Sequence, residues 1–154
     1  PTVESKIDLA KKRVERSRSF LAASRYAEAR TELEFAGLLE LEDAALEKQI
    51  NQLQISIRDE AQLALISQEL RDGRAMSVLL RLAESLSESG PAQSKLNAIL
   101  LQAKKQHAHR FYTQGRHAYM AGEIEAARVA IKEALKLTPR HKEARKLLDT
   151  MKEL

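Results

Sequence analysis

Cysteine is absent from this sequence, which excludes disulfide bonds and thiolate metal sites. Tryptophan is absent too, aromatic residues make up only 4% of the chain, and there are just 5 glycines and 3 prolines. No run of apolar residues approaches the roughly 18 needed for a membrane-spanning helix, so none is expected. What remains is rich in the strong helix formers Ala, Leu, Glu, Lys, Arg and Gln. We therefore predict an all-α fold.

The sequence starts at Pro1 instead of a methionine and contains no recognisable signal peptide. Together with the lack of cysteine, this start favours a processed or anchored protein of the bacterial envelope or periplasm, with any signal or anchor upstream of Pro1. No other feature of the sequence indicates a compartment, so this localisation is an expectation only.

Turn and capping residues divide the chain into seven predicted helices, two of them long. Gly73 suits a helix end, Ser89-Gly90-Pro91 suits a stop followed by a new start, and Pro139 suits a first helical turn. The predicted helices cover residues 4–22, 26–40, 43–71, 75–88, 92–121, 124–137 and 140–152.

The sequence repeats itself at an interval of 49 residues, because Ser24, Gly73 and Gly122 occupy equivalent corners between two predicted helices. Each corner is followed by two apolar residues four positions apart: Ala29 and Leu33, Val78 and Leu82, and Ala127 and Ile131. A single helix pair cannot bury its apolar face alone, whereas stacked pairs bury it together. The repeat therefore predicts an array of helix pairs.

The third pair, residues 108–141, resembles a tetratricopeptide repeat (TPR), a helix pair of about 34 residues. The residues that carry the resemblance are Ala108, Phe111, Gly115, Gly122, Ala127, Ile131, Ala134 and Pro139. The pattern departs at Gln114 and Ala118, where Leu and Tyr are usual. Residues 10–41 match more loosely and residues 59–90 only in part. The resemblance implies a single TPR-like domain over residues 1–154, a helical solenoid whose last helix, 140–152, acts as a cap.

The resemblance also implies a function, since the first helices of successive TPR pairs line a concave groove that binds peptides. It implies a non-catalytic scaffold for protein–protein interaction, with this candidate peptide-binding face: His109, Tyr112, Arg116, Tyr119 and Met120. Residues 101–154 carry 12 basic and 6 acidic groups. The expected partner is therefore an acidic or C-terminal peptide, or another subunit of a larger assembly.

Two alternatives stay open at this point. Leu46, Ile50, Leu53 and Ile57 step by four and three residues, as in a short coiled-coil seam, which would make the long helices a self-association module and the protein a homodimer. The other interpretation of these four residues is packing within the chain.

The second alternative concerns residues 104–116, where cations alternate with aromatic side chains. The basic patch Lys104, Lys105 and Arg110 would bind nucleic acid or another anionic surface through phosphate contacts and stacking. No named nucleic-acid-binding motif accompanies it.

No pattern in the sequence predicts catalysis. His107 and His109 point to different faces of a helix, and neither HExxH nor G-x-S-x-G occurs. Gly115 and Gly122 suit helix packing and a turn, and they form no phosphate-binding loop. The sequence therefore predicts no enzyme activity, no metal ion and no cofactor.

Overall fold

A computed structural model describes residues 2–88 and 90–153. Within this range the chain is all-helical and contains no strand, as predicted. The helices are α1 (Val3–Ala22), α2 (Tyr26–Gly37), α3 (Ala44–Arg71), α4 (Met76–Ala83), α5 (Pro91–Met120), α6 (Ile124–Leu137) and α7 (Lys142–Lys152). The two long helices, α3 and α5, have 28 and 30 residues. None of the described helices is long and apolar enough to cross a membrane.

The predicted end of the fourth helix is wrong, because α4 stops at Ala83 and not at residue 88. Side chains of α3 form hydrogen bonds with backbone groups near the end of α4. The Gln62 Nε2 donates to the Leu82 carbonyl oxygen at 2.7 Å, and the Ser87 N–H donates to Asp59 Oδ1 at 3.2 Å. These bonds replace further helical hydrogen bonds and end the helix. Ser89, part of the predicted stop signal, lies outside the described residues.

The second helix also ends earlier than predicted, at Gly37 and not at residue 40. Glu40 has a positive φ of 49°, a left-handed conformation that an α-helix cannot contain. The short loop between α2 and α3 ends at Asp43. Asp43 Oδ1 accepts the Leu46 N–H at 3.0 Å and so caps the first turn of α3.

The three corners that the sequence places 49 residues apart share one backbone geometry. Ser24, Gly73 and Gly122 have φ values of 60°, 77° and 81°. At the third corner the Gly122 N–H donates to the Tyr119 oxygen at 3.0 Å, and the Glu123 N–H donates to the residue-118 oxygen at 2.9 Å. The same two bonds recur at the other two corners. This is the Schellman arrangement that ends a helix with a left-handed residue.

The chain divides into two compact units, and each contains parts of α3, α4 and α5. Unit 1 consists of Pro1–Gln68 and Leu82–Ser94, and unit 2 consists of Glu69–Arg81 and Lys95–Leu154.

In unit 1, α1 packs against α2 through small and branched apolar side chains. The core cluster contains Ala10, Val14, Ala29, Leu33, Ala36, Leu41, Leu46, Ile50 and Ile57. The buried Ser17 hydroxyl donates to the Ala29 carbonyl oxygen at 2.8 Å, which joins α1 to α2. Three residues of the proposed coiled-coil seam belong to this core, and Leu53 packs against it. The seam is therefore used within the unit and is not exposed for self-association.

In unit 2, the second half of α5 packs against α6, and α6 packs against α7. The core cluster contains Ala108, Ala127, Ile131, Ala134, Ala144, Leu148 and Met151. Ala144, Leu148 and Met151 lie on the buried face of α7, and Leu147 packs against the same cluster. The amphipathic character of α7 is thus explained by its packing against α6.

Candidate functional site

Gly115 sets the position of the second half of α5. It is buried, and a Cβ atom at this residue would lie 2.6 Å from Ile131 Cδ1 and 3.3 Å from the Ala127 carbonyl oxygen. Such distances are too short for a side chain, so glycine allows α5 to approach α6 closely. Because residues on one helix face recur every three or four positions, this contact determines which side chains of α5 face solvent.

The five residues of the predicted peptide-binding face lie on one side of α5, and we call them the tyrosine face. His109 and Arg116 are exposed, and Met120 keeps 73% of its accessible surface. Tyr112 and Tyr119 are half-buried because they pack against the unit 2 core. The tyrosine face is therefore partly a packing surface, and His109, Arg116 and Met120 are its exposed residues.

Tyr112 joins α5 to the start of α7. Its ring centroid lies 5.1 Å from that of His141 and 6.3 Å from that of His109, both in tilted arrangements. Tilted aromatic pairs at such distances are favourable. Arg116 forms no ion pair with any described residue, so its charge is available to a partner.

The basic patch does not form one surface. Lys104, Lys105 and Arg110 are all exposed. Arg110 lies over the corner at Gly73, and its Nη1 donates to the Gly73 carbonyl oxygen at 3.3 Å. Lys105 and Arg110 line the same hollow, whereas Lys104 does not. The patch thus contributes two of its three cations to a shared concave surface.

Two adjoining shallow depressions, wide open to solvent, lie along α5, and we call them together the α5 channel. The first, about 650 Å³, is lined by Lys105, Gln106, His109, Arg110, Thr113 and Gln114. The second, about 510 Å³, is lined by Thr113, Gln114, His117, Ala118, Ala121 and Glu123. Thr113 and Gln114 belong to both hollows, so the two are continuous. Glu123 is the one acidic residue in the lining, which makes the channel net positive.

The channel and the tyrosine face meet at His109, the one residue common to both. Tyr112, Arg116, Tyr119 and Met120 line neither hollow of the channel. Four lining residues were not predicted from the sequence: Gln106, Thr113, Gln114 and His117. A signal for them existed: residues 106, 110, 113 and 117 follow helical spacing and are all polar.

The other two histidines have structural roles. The buried His107 makes a hydrogen bond of 2.9 Å between its Nε2 and the Arg74 carbonyl oxygen. His141 caps α7, since its Nδ1 accepts the Ala144 N–H at 3.1 Å. Among residues 2–88 and 90–153 no group of three or more His, Asp or Glu side chains is arranged to hold a metal ion.

Scans of the chain against protein-family models, curated proteins and solved structures gave no match. The functional argument therefore depends on the geometry and chemistry of the residues described above. These provide a cationic, hydrogen-bonding channel beside a partly aromatic helix face, and such a surface is suited to recognition of another macromolecule.

Proposed function

We propose that this chain is a non-catalytic interaction module built from TPR-like helix pairs, and that it binds an acidic segment of a partner protein along α5. The helix-pair assignment is supported by the Schellman bonds at Ser24, Gly73 and Gly122 and by the close approach at Gly115. The small residues Ala29 and Ala127, both fully buried, occupy equivalent positions in the two outer pairs.

The observation that carries the binding proposal is the charge of the α5 surface. Lys105 and Arg110 line the channel, Arg116 lies on the adjacent tyrosine face, and Glu123 is the opposing acid. Acidic side chains of a partner would approach this surface with favourable electrostatics, which increases both association rate and specificity. Tyr112 and Met120 would add apolar contact area, and tyrosine and arginine are enriched at binding hot spots.

The test uses random peptides displayed on phage and selected on the immobilised protein. Selected peptides should be rich in Asp and Glu, and their affinity is then measured by fluorescence anisotropy. The double variant Lys105→Glu with Arg116→Glu should bind them at least tenfold more weakly, which corresponds to about 1.4 kcal/mol. Two changes are needed because one exposed ion pair contributes only about 0.2–1 kcal/mol.

The matched control is Lys132→Glu with Lys142→Glu, which alters net charge equally at exposed positions of α6 and α7 in the same unit. This control should leave peptide affinity unchanged. Equal weakening by both double variants, or no enrichment of acidic peptides, would contradict a specific site on α5. Binding of single-stranded RNA with a steep salt dependence would instead favour the nucleic-acid alternative.

A further inference from the structure

A second concave surface lies in unit 1, between α2 and α3. It consists of two hollows of about 590 Å³ and 210 Å³. Asn51 and Gln54, one turn apart on α3, line both hollows and make them continuous. We call this surface the α2–α3 groove. None of its residues belongs to the α5 surface proposed above.

The α2–α3 groove has opposite charges at its two ends. Arg30 and Arg58 line the larger hollow together with a single acid, Glu34. Glu40 and Glu47 line the smaller hollow, which has no basic residue in its lining. Along α3, Arg58 follows Glu47 by eleven positions, which corresponds to about 16 Å at the helical rise of 1.5 Å per residue. The groove is therefore a polar slot with a basic end and an acidic end.

The polar side chains of the groove are available for binding. In the described part of the chain, the side chains of Arg30, Asn51, Gln54 and Glu47 form no hydrogen bond or ion pair. The carboxylate nearest to Arg58 is Asp59, at 4.0 Å, and this acid already accepts a backbone N–H. Polar groups that line a concave surface without protein partners are satisfied by water or by a ligand.

The middle of the groove suits a peptide backbone. Asn51 and Gln54 each offer an amide donor and an amide acceptor, and side chains three positions apart on a helix lie about 5–6 Å from each other. Ile55 provides an apolar wall that is 45% exposed, and the nearly inaccessible Ile57 lies at the base. Such a lining can bind alternating polar and apolar groups of an extended chain.

We propose that the α2–α3 groove binds an extended segment of a partner protein, about five residues long, with an acidic side chain against Arg30 and Arg58 and a basic side chain against Glu40 and Glu47. The first and fifth residues of an extended segment lie about 13 Å apart at about 3.3 Å per residue, and long charged side chains at these two positions cover the remaining distance to the charged ends. A nucleic acid or a purely anionic ligand is disfavoured, because its charge would meet the two carboxylates of the smaller hollow.

Gly37 offers a way to block the groove without disturbing the fold. It lines the smaller hollow, and a Cβ atom built on it meets no atom within 4 Å. The Gly37→Gln variant should therefore fold normally and project its side chain into the groove. The control is Gly37→Ala, which adds the Cβ alone. The Gln variant should lose at least tenfold in peptide affinity, whereas the Ala variant should lose less than twofold.

The probe is a set of three pentapeptides with blocked termini and threonine, valine and threonine in the middle. One has aspartate and lysine at its ends, one has two aspartates and one has two lysines. The wild-type protein should prefer the mixed peptide, measured by isothermal titration calorimetry. Arg58→Glu should change the preference to the peptide with two lysines, and Glu47→Lys should change it to the peptide with two aspartates.

Several results would overturn this proposal. They are no binding of the mixed peptide at millimolar concentration, equal binding of all three peptides, or an order of affinity that the Arg58 and Glu47 variants leave unchanged. A dimer that dissociates in Gly37→Gln would show that a second copy of the chain occupies the groove. The Lys105→Glu, Arg116→Glu double variant should retain full affinity for the mixed peptide, so this result is independent of the α5 proposal.

Discussion

Replacing Gly115 with alanine is the sharpest test of how closely α5 packs against α6. The added Cβ would lie 2.6 Å from Ile131 Cδ1 and 2.8 Å from its Cγ1, well inside ordinary contact distance. Ile131 is fully buried in the unit 2 core, and protein cores are closely packed. The Ala127 carbonyl oxygen, 3.3 Å away, limits movement on the other side. The variant must therefore separate the two helices or distort the Ile131 side chain.

Two effects of opposite sign contribute to the change in stability. Overpacking of this kind costs about 1–3 kcal/mol. Exchanging glycine for alanine inside a helix is favourable by about 1 kcal/mol. We therefore expect Gly115→Ala to lower the free energy of unfolding by about 1 kcal/mol. Gly37→Ala, where the new Cβ meets nothing, isolates the propensity effect and should raise the free energy of unfolding by about 0.5 kcal/mol.

The assay is urea unfolding followed by circular dichroism, since the chain has no tryptophan to report on folding. The difference between the two glycine variants should be at least about 1 kcal/mol. In an Ile131→Ala background the cost of Gly115→Ala should disappear, because the atoms that obstruct the Cβ have been removed. If Gly115→Ala stabilises the protein as much as Gly37→Ala does, the close approach of α5 and α6 is refuted.

Two further substitutions test local backbone chemistry by thermal unfolding. Ser24 has a φ of 60°, so Ser24→Gly should stabilise unit 1 by up to about 1 kcal/mol. Gly122→Ala should destabilise unit 2 by about 1–2 kcal/mol, because alanine disfavours the positive φ of this corner. Changes of the opposite sign would contradict the left-handed corners. His141→Ala should destabilise unit 2 by about 1 kcal/mol, because it removes both the cap on the Ala144 N–H and the ring contact with Tyr112. An unchanged or raised melting temperature would contradict these two roles of His141.

Most of the fold was predictable from the sequence because glycine and proline mark its helix ends. The corners at Gly73 and Gly122 are left-handed, as glycine permits, and α5 begins at Pro91. The end of α4 was not predictable in this way. It depends on a hydrogen bond that Gln62 donates and one that Asp59 accepts, about twenty or more residues earlier in the chain, and local propensity contains no information on such contacts.

The middle helix pair departs most from the repeat. Ile66 is fully buried at the position equivalent to Ser17 and Gly115, so this pair lacks the small residue of the other two. In α4 the fully buried residue is Leu79, whereas the sequence pattern indicated Val78 and Leu82, which are only half-buried. A one-residue difference in register changes which face of a helix is buried, and sequence spacing alone does not reveal it.

The concave surface on α5 was not predictable from the sequence. The sequence pointed to α5 through Tyr112 and Arg116, yet the concave surface involves Thr113, Gln114 and His117. Polar residues on an exposed helix face look alike in sequence, because the depth of a hollow depends on the neighbouring elements. Tyr112 and its ring contact with His141 show the same dependence, since that contact requires α7 to be in place.

Units 1 and 2 each have an arginine at the same repeat position, but the two arginines make different contacts. This difference explains why the α2–α3 groove is open. Arg128 of unit 2 donates from Nη2 to the Met151 carbonyl oxygen at 3.2 Å and from Nη1 to Glu125 at 2.7 Å. Met151 lies in the last turn of α7, where carbonyl groups lack helical partners. Arg30 is the equivalent residue of unit 1. The helix that follows α2 is α3, which continues to Arg71, so the carbonyl groups in the middle of α3 accept hydrogen bonds within the helix. Arg30 therefore has no terminal carbonyl to bind, and its guanidinium remains at the edge of the groove.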